Sequence, residues 1–83
     1  MEMSGILSEL NTIVSKVLDD DTIVLRENTT VSDVAGWDSL SHVQIIVAIE
    51  KHFHIKFTSL EIYNFKNVGD ACRVIQKKLS NGR

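Results

Sequence analysis

Ile6, Leu7, Leu10, Ile13, Val14, Val17 and Leu18 recur every three or four residues, the spacing that lines apolar side chains along one face of a helix. A first helix is therefore predicted, with Ser4 available as its N-cap. It is expected to stop near Asp19, Asp20 and Asp21, because three acids at a helix C-terminus oppose the macrodipole and repel one another.

From Asp19 to Asp38 the helical pattern lapses, over a stretch longer than most connections in a compact domain. Disorder does not suit it. Ile23, Val24, Leu25, Val31, Val34 and Trp37 would leave too much apolar surface in water, so this loop is expected to pack across the helices. Thr22 to Arg26 has the composition of a strand, but no segment offers itself as a partner strand.

Periodicity resumes at Ser39 and runs to about His52 without Gly or Pro, far beyond the mean strand length, which favours helix despite several β-branched residues. Leu40, Val43, Ile46, Val47, Ile49 and Phe53 form an apolar face broader than one neighbouring helix needs, so two contacts are expected of it. A short helical turn is predicted at Ser59 to Asn64, with Ser59 as cap and Leu60 and Tyr63 three apart. The last helix follows Asn67, which with Asp70 resembles a capping box; Val68, Ala71, Cys72, Ile75 and Leu79 share one face, and Lys77 and Lys78 suit its C-terminal end. Three main helices plus one short helix, with a long loop between helices 1 and 2, read as an all-α, small four-helix bundle.

With 83 residues, the chain is expected to form one domain spanning 1–83, with a single modest core. Cys72 is the one cysteine and falls on an apolar stripe, so it reads as a small buried hydrophobe. No N-terminal stretch resembles a signal peptide or a membrane span, and a cytoplasmic home without membrane attachment is expected. The net charge of −2 hides a segregation of signs: from Asp19 to Asp38 six acids face only Arg26, leaving −5, whereas from Ser39 onward seven bases and three acids leave +4. The second helix is nearly neutral and its preceding loop acidic, which argues against nucleic acid as a partner.

Candidate chemistry centres on Gly36-Trp37-Asp38-Ser39-Leu40, where the acidic loop meets the second helix. A hydroxyl at a helix start lies beside N–H groups without intrahelical partners, and the positive end of the macrodipole favours a phosphate there. The competing role is structural, since Asp38 or Ser39 in that position also serves as an N-cap. The two roles can coexist.

Asp38-Ser39-Leu40 at the head of the second helix, the long loop ending in Gly36-Trp37, and Ile49-Glu50-Lys51-His52-Phe53 at that helix's end resemble the carrier protein family, the acyl carrier proteins and related peptidyl or aminoacyl carriers, over nearly the whole chain. The resemblance implies that Ser39 carries 4′-phosphopantetheine, installed from coenzyme A by a phosphopantetheinyl transferase, with Gly36, Trp37, Asp38 and Leu40 as its supporting motif. It further implies a carrier without catalysis of its own, a monomer that presents thioester-bound intermediates to acyl-loading and acyl-processing enzymes. Acyl groups shelter inside some relatives. The candidate lining here is a seam of Val43, Val47, Phe57, Ile62 and Ala71 between the second, third and fourth helices, although the same residues would equally serve as core.

One departure from the family concerns the docking surface. Fatty-acid carriers typically have a strongly acidic second helix, whereas the positions expected to be exposed after Ser39 include Ser41, His42, Gln44, Lys51 and His52, with Glu50 the lone acid. A specialised fatty acid or polyketide-type pathway is favoured, its partners reading shape and apolar contact through Leu40, Val43, Glu50 and Leu60. An aminoacyl or peptidyl carrier of a nonribosomal-peptide-type pathway is the alternative, and a helical adaptor without a prosthetic group the rival from another class. Ser39, His42 and Asp38 superficially supply a hydrolase triad, but the glycine-framed strand-to-helix elbow and oxyanion hole are missing. His52 and His54 lack the further ligands a metal site needs.

Overall fold

A computed structural model describes residues 2–80, which form four helices: α1 (Met3–Leu18), α2 (Ser39–Phe53), α3 (Ser59–Tyr63) and α4 (Val68–Ser80). The periodic stretches are helical as the spacing predicts, and Thr22 to Arg26 forms no strand. A single turn of 3-10 helix, Val31–Asp33, interrupts the long loop.

The ends of the helices are closed by groups other than some of those expected. Ser4 lies inside α1, because the Ile6 N–H already bonds to the Glu2 carbonyl at 3.0 Å and starts the helix two residues earlier. At the other end Asp19 adopts a left-handed conformation, its N–H donates to Lys16 O and that of Asp20 to Ser15 O, the paired bonds of a Schellman motif. Asp20 then turns the chain, its carboxylate accepting from the N–H and hydroxyl of Thr22. Thr58 rather than Ser59 caps α3, in a reciprocal box with Glu61. For α4, Asn67 Oδ1 takes the Asp70 N–H at 2.9 Å, but the Asp70 carboxylate returns to the N–H of Lys66, one residue before the position a standard box would use.

α1 is the centre of the packing. Its buried Ile6, Leu10, Ile13 and Val14 meet Ile45, Ile49 and Phe53 of α2 on one side and Val68, Cys72 and Ile75 of α4 on the other, with Leu25 and Ile55 filling in from the connections. α2 and α4 each lie against α1 and make little direct contact with each other. Cys72 is fully buried and desolvation pushes its thiol up to about 11, so it is the inert small hydrophobe that its place on the stripe implied.

The long loop does pack across the helices, and polar groups hold it there. Asn11, on α1, donates from its amide to the Ile23 carbonyl at 2.9 Å and accepts the Leu25 N–H at 2.6 Å, so one side chain pairs with the loop backbone as a neighbouring strand would. At the head of α4, the N–H groups of Val68 and Gly69 donate to the carbonyls of Thr29 and Glu27, both at 2.8 Å. The approach at Gly69 is close: a Cβ there would stand 2.9 Å from the Glu27 carbonyl oxygen.

These anchors carry measurable stability. Asn11→Ala leaves the N–H of buried Leu25 without its partner and is expected to cost about 1–3 kcal/mol, while Gly69→Ala forces the loop off α4 at a cost of about 1–3 kcal/mol. Urea denaturation of both variants beside the native chain checks these values; unchanged midpoints would show that the loop is not held this way.

Candidate functional site

The loop reaches α2 through a turn that only a few residue types permit. Gly36 has φ of +87°, a region that side-chain-bearing residues rarely adopt, and the N–H of Trp37 donates back to the Val34 carbonyl. Asp38 is extended and is the N-cap: its Oδ1 accepts the Ser41 N–H at 2.9 Å, and its carbonyl accepts the first helical bond from the His42 N–H at 2.8 Å. Ser41 closes the turn from the helix side, donating its hydroxyl to the Gly36 carbonyl at 3.0 Å. Ser41 is half-buried, and its part in holding the turn is visible only once the turn is folded.

Because Asp38 does the capping, Ser39 is left with no structural duty. It is the first residue of α2, exposed, and its hydroxyl has no hydrogen-bond partner among the described residues. The Asp38 carboxyl is held below its ordinary range, chiefly by the Ser41 N–H, and is therefore ionised at neutral pH. The result is a free primary alcohol at the positive end of a helix, framed by a turn that three neighbouring residues lock in place.

The broad apolar face of α2 divides in two. Ile45, Ile46, Ile49 and Phe53 point inward, Ile45 being a core residue absent from the predicted stripe, while Leu40, Val43 and Val47 stand 69%, 59% and 42% exposed. Leu60 and Tyr63 on α3 are exposed as well. Leu40, Val43 and Leu60 thus lie in solvent, where a docking surface needs them. Glu50 is different: it is half-buried and its Oε2 accepts the Phe57 N–H at 2.8 Å, tying the connection between α2 and α3 to the end of α2. His42 is also half-buried rather than exposed, and the His52 ring meets the carboxylate of Glu9 of α1 through Nε2. Lys51 and Lys56 are exposed and have no ion-pair partner among the described residues.

The space left between α2 and α4 is a narrow apolar crevice of about 40 Å³, walled by Leu10 and Val14 of α1, Leu25, Val31 and Trp37 of the loop, Ile45, Ile46 and Ile49 of α2, and Phe65, Val68 and Ala71 near α4. Of the seam residues expected between the second, third and fourth helices, Ala71 alone lines it. Val43 and Val47 face outward, Phe57 packs edge-on against Phe65, and Ile62 is half-buried on α3 away from the crevice. The physical reason is the length of α3: five residues whose larger apolar side chains, Leu60 and Tyr63, face water do not close against α2, and the loop covers the opening instead. At that wall the indole N–H of Trp37 donates to Nδ1 of His42 at 3.2 Å.

Comparison with known proteins agrees with this geometry. Residues 8–75 match the family model described as the phosphopantetheine attachment site. The acyl carrier protein of Phenylobacterium zucineum is 34% identical over 77 residues, covering 93% of this chain and 98% of the relative, and that of Thermotoga maritima is 31% identical over 74 residues, covering 89% and 91%. The solution structure of holo acyl carrier protein from Geobacter metallireducens superposes with a TM-score of 0.86 at 45% identity, covering 92% of this chain and 87% of that one.

The cap has a pH signature. A carboxyl whose folded pKa is lowered stabilises the fold fully above its unfolded value of about 3.9 and loses that contribution as pH falls through the folded value. Asp38→Ala is therefore expected to lower the thermal midpoint at neutral pH, with the gap to the native chain narrowing below about pH 4. A gap that is constant from pH 7 to pH 3 would show that the carboxylate does not hold the head of α2.

Proposed function

This chain belongs to the phosphopantetheine-attachment family of acyl carrier proteins, and on that footing we propose that Ser39 is the residue that bears the 4′-phosphopantetheine arm. The protein is a carrier and not an enzyme, with 4′-phosphopantetheine as its prosthetic group and phosphopantetheinyl transferase and acyl-processing enzymes as the general class of its partners. The observation that supports Ser39 is its exposed, unpartnered hydroxyl at the first position of α2, with capping already done by Asp38. A phosphodiester there sits at the positive end of the helix dipole. When attached, the arm supplies a terminal thiol that holds cargo as a thioester.

The domain's own work is then positioning and recognition. The turn from Gly36 to Ser41 presents the attachment point rigidly, so cargo tethered there meets a docked enzyme at raised effective concentration. Leu40, Val43 and Leu60 form the proposed docking surface, since each leaves most of its apolar side chain in water. The half-buried Glu50 acts on that surface by fixing the connection to α3 rather than as a free charge. With Lys51 and Lys56 unpaired among the described residues and no other acid on α2, partners that read apolar shape are favoured over partners with basic patches, as in a specialised fatty acid or polyketide-type pathway in the cytoplasm. The names of the relatives favour acyl over aminoacyl cargo.

A sheltered acyl chain would occupy the crevice between α2, the loop and the head of α4. Its apolar walls suit a hydrocarbon, and burial of each methylene is worth about 0.8 kcal/mol.

Incubation with coenzyme A and a promiscuous phosphopantetheinyl transferase, read by intact mass, should add one arm to the native chain and none to Ser39→Ala. No gain by the native chain would favour an adaptor that carries nothing. On the same surface, Leu40→Arg or Leu60→Arg is expected to lower kcat/KM for loading by a cognate enzyme by about tenfold or more, the loss of one buried apolar contact. Unimpaired loading of both variants would move the docking surface elsewhere.

A further inference from the structure

Trp37 and His42 stand on either side of Ser39 in sequence and both line the apolar crevice, Trp37 from the loop and His42 from the first turns of α2. Their side chains are joined by the indole N–H donating to Nδ1 of His42 at 3.2 Å, with the rings tilted at 32° and their centroids 6.2 Å apart. An indole nitrogen only donates, so His42 must present a bare Nδ1 and carry its proton on Nε2 for this bond to exist.

Helical spacing connects this pair to both ends of a path. Ser39 and His42 are three residues apart and therefore neighbours on the surface of α2, and His42 is in turn three and four residues from Ile45 and Ile46, which form the crevice wall. Anything tethered at Ser39 that reaches the crevice along α2 passes the His42 ring and the Trp37 ring bonded to it. The crevice behind them is narrow. A water needs about 10–15 Å³ of such space, so about 40 Å³ admits a few water-sized groups and not a chain of several methylenes. The walls must part for a longer chain, and the Trp37–His42 bond is the polar link across the part of the wall that lies beside Ser39.

We infer that the Trp37–His42 pair is a latch that selects which acyl chains leave solvent for the crevice: short chains leave it closed, and chains long enough to gain more from burial than the bond supplies displace the indole. The inference rests on the proposals that Ser39 carries the arm and that the crevice receives the cargo. It adds to them two residues that set chain-length selectivity without touching the thioester. It also gives a use to the hydrogen bond between Trp37 and His42, which neither the core nor the docking surface requires.

The test uses the full chain loaded with butanoyl, hexanoyl, octanoyl and decanoyl groups, each checked by intact mass, in native, His42→Phe, Trp37→Phe and His42→Asn forms. His42→Phe keeps a ring and removes the acceptor, Trp37→Phe removes the donor, and His42→Asn restores an acceptor oxygen near the position of Nδ1. Amide shifts of Leu10, Ile46 and Val68 report chain in the crevice, and the Trp37 indole proton reports the latch. In the native chain the crevice shifts should grow with chain length, together with the indole shift. In both phenylalanine variants the ratio of sheltered to exposed octanoyl chain should rise roughly two- to tenfold, the equilibrium effect of one net hydrogen bond, and His42→Asn should return it toward the native value. Equal sheltering in the native and both phenylalanine proteins would overturn the latch and leave the crevice proposal standing. Crevice amides that fail to move with any chain in any form would overturn the crevice proposal and the latch with it, and absence of loading would show in the mass before either is read.

Discussion

Every peptide group in a long connection without regular structure needs a partner, and the loop between α1 and α2 finds several of its own on the helices it crosses. Asn11 of α1 serves one carbonyl and one N–H of the loop, and the first turn of α4 contributes the N–H groups of Val68 and Gly69 to two more carbonyls. These bonds fix where the loop runs. They bring Leu25 into the core, Val31 and Trp37 to the edge of the crevice, and the turn at Gly36 to the head of α2. The free hydroxyl of Ser39 is the end of that chain of constraints: with the loop held, Asp38 and Ser41 close the turn between them, and the serine is left facing solvent with no structural duty.

The same arrangement explains why so small a bundle has an interior that is not fully filled. α1 is the common neighbour of α2 and α4, and those two helices meet each other sparingly. A fourth helix of full length could close the gap, but α3 has only five residues and turns Leu60 and Tyr63 to water. The crevice is therefore bordered by a loop, which opens at lower cost than a packed helix pair.

Charge follows the division of labour. Arg73 pairs with Asp70 within α4 and with Glu27 of the loop, and Lys78 of α4 pairs with Glu61 of α3. These pairs are at least partly exposed, so each adds modestly to stability and more to register. Lys51, near the end of α2, and Lys56, just beyond it, have no ion-pair partner among the described residues, opposite the acidic approach to Ser39. The outer surface of α2 thus presents apolar side chains between an acidic and a basic end.

Much of this molecule is legible along the chain. The period of Ile6 to Leu18, the long unbroken run after Ser39 and the stripe from Val68 to Leu79 determine three helices, because helical burial repeats at a spacing that local residues alone reveal. The run from Gly36 to Leu40 marks the proposed attachment point for the same reason: a turn glycine, a cap and a hydroxyl are local requirements. What lies inside depends on how the elements meet. Which half of the apolar face of α2 is buried, why Ile45 joins the core while Val43 and Val47 do not, and where the crevice runs were decided by the placement of α1 and the loop, which no periodicity within α2 encodes. Glu50, Ser41 and His42 read as surface polar residues in the sequence, yet each bonds to a backbone or ring group brought close only by folding. Sequence determines each element and its chemistry through short-range geometry, and tertiary structure assigns the partners, because a hydrogen bond or a contact belongs to two places in the chain at once.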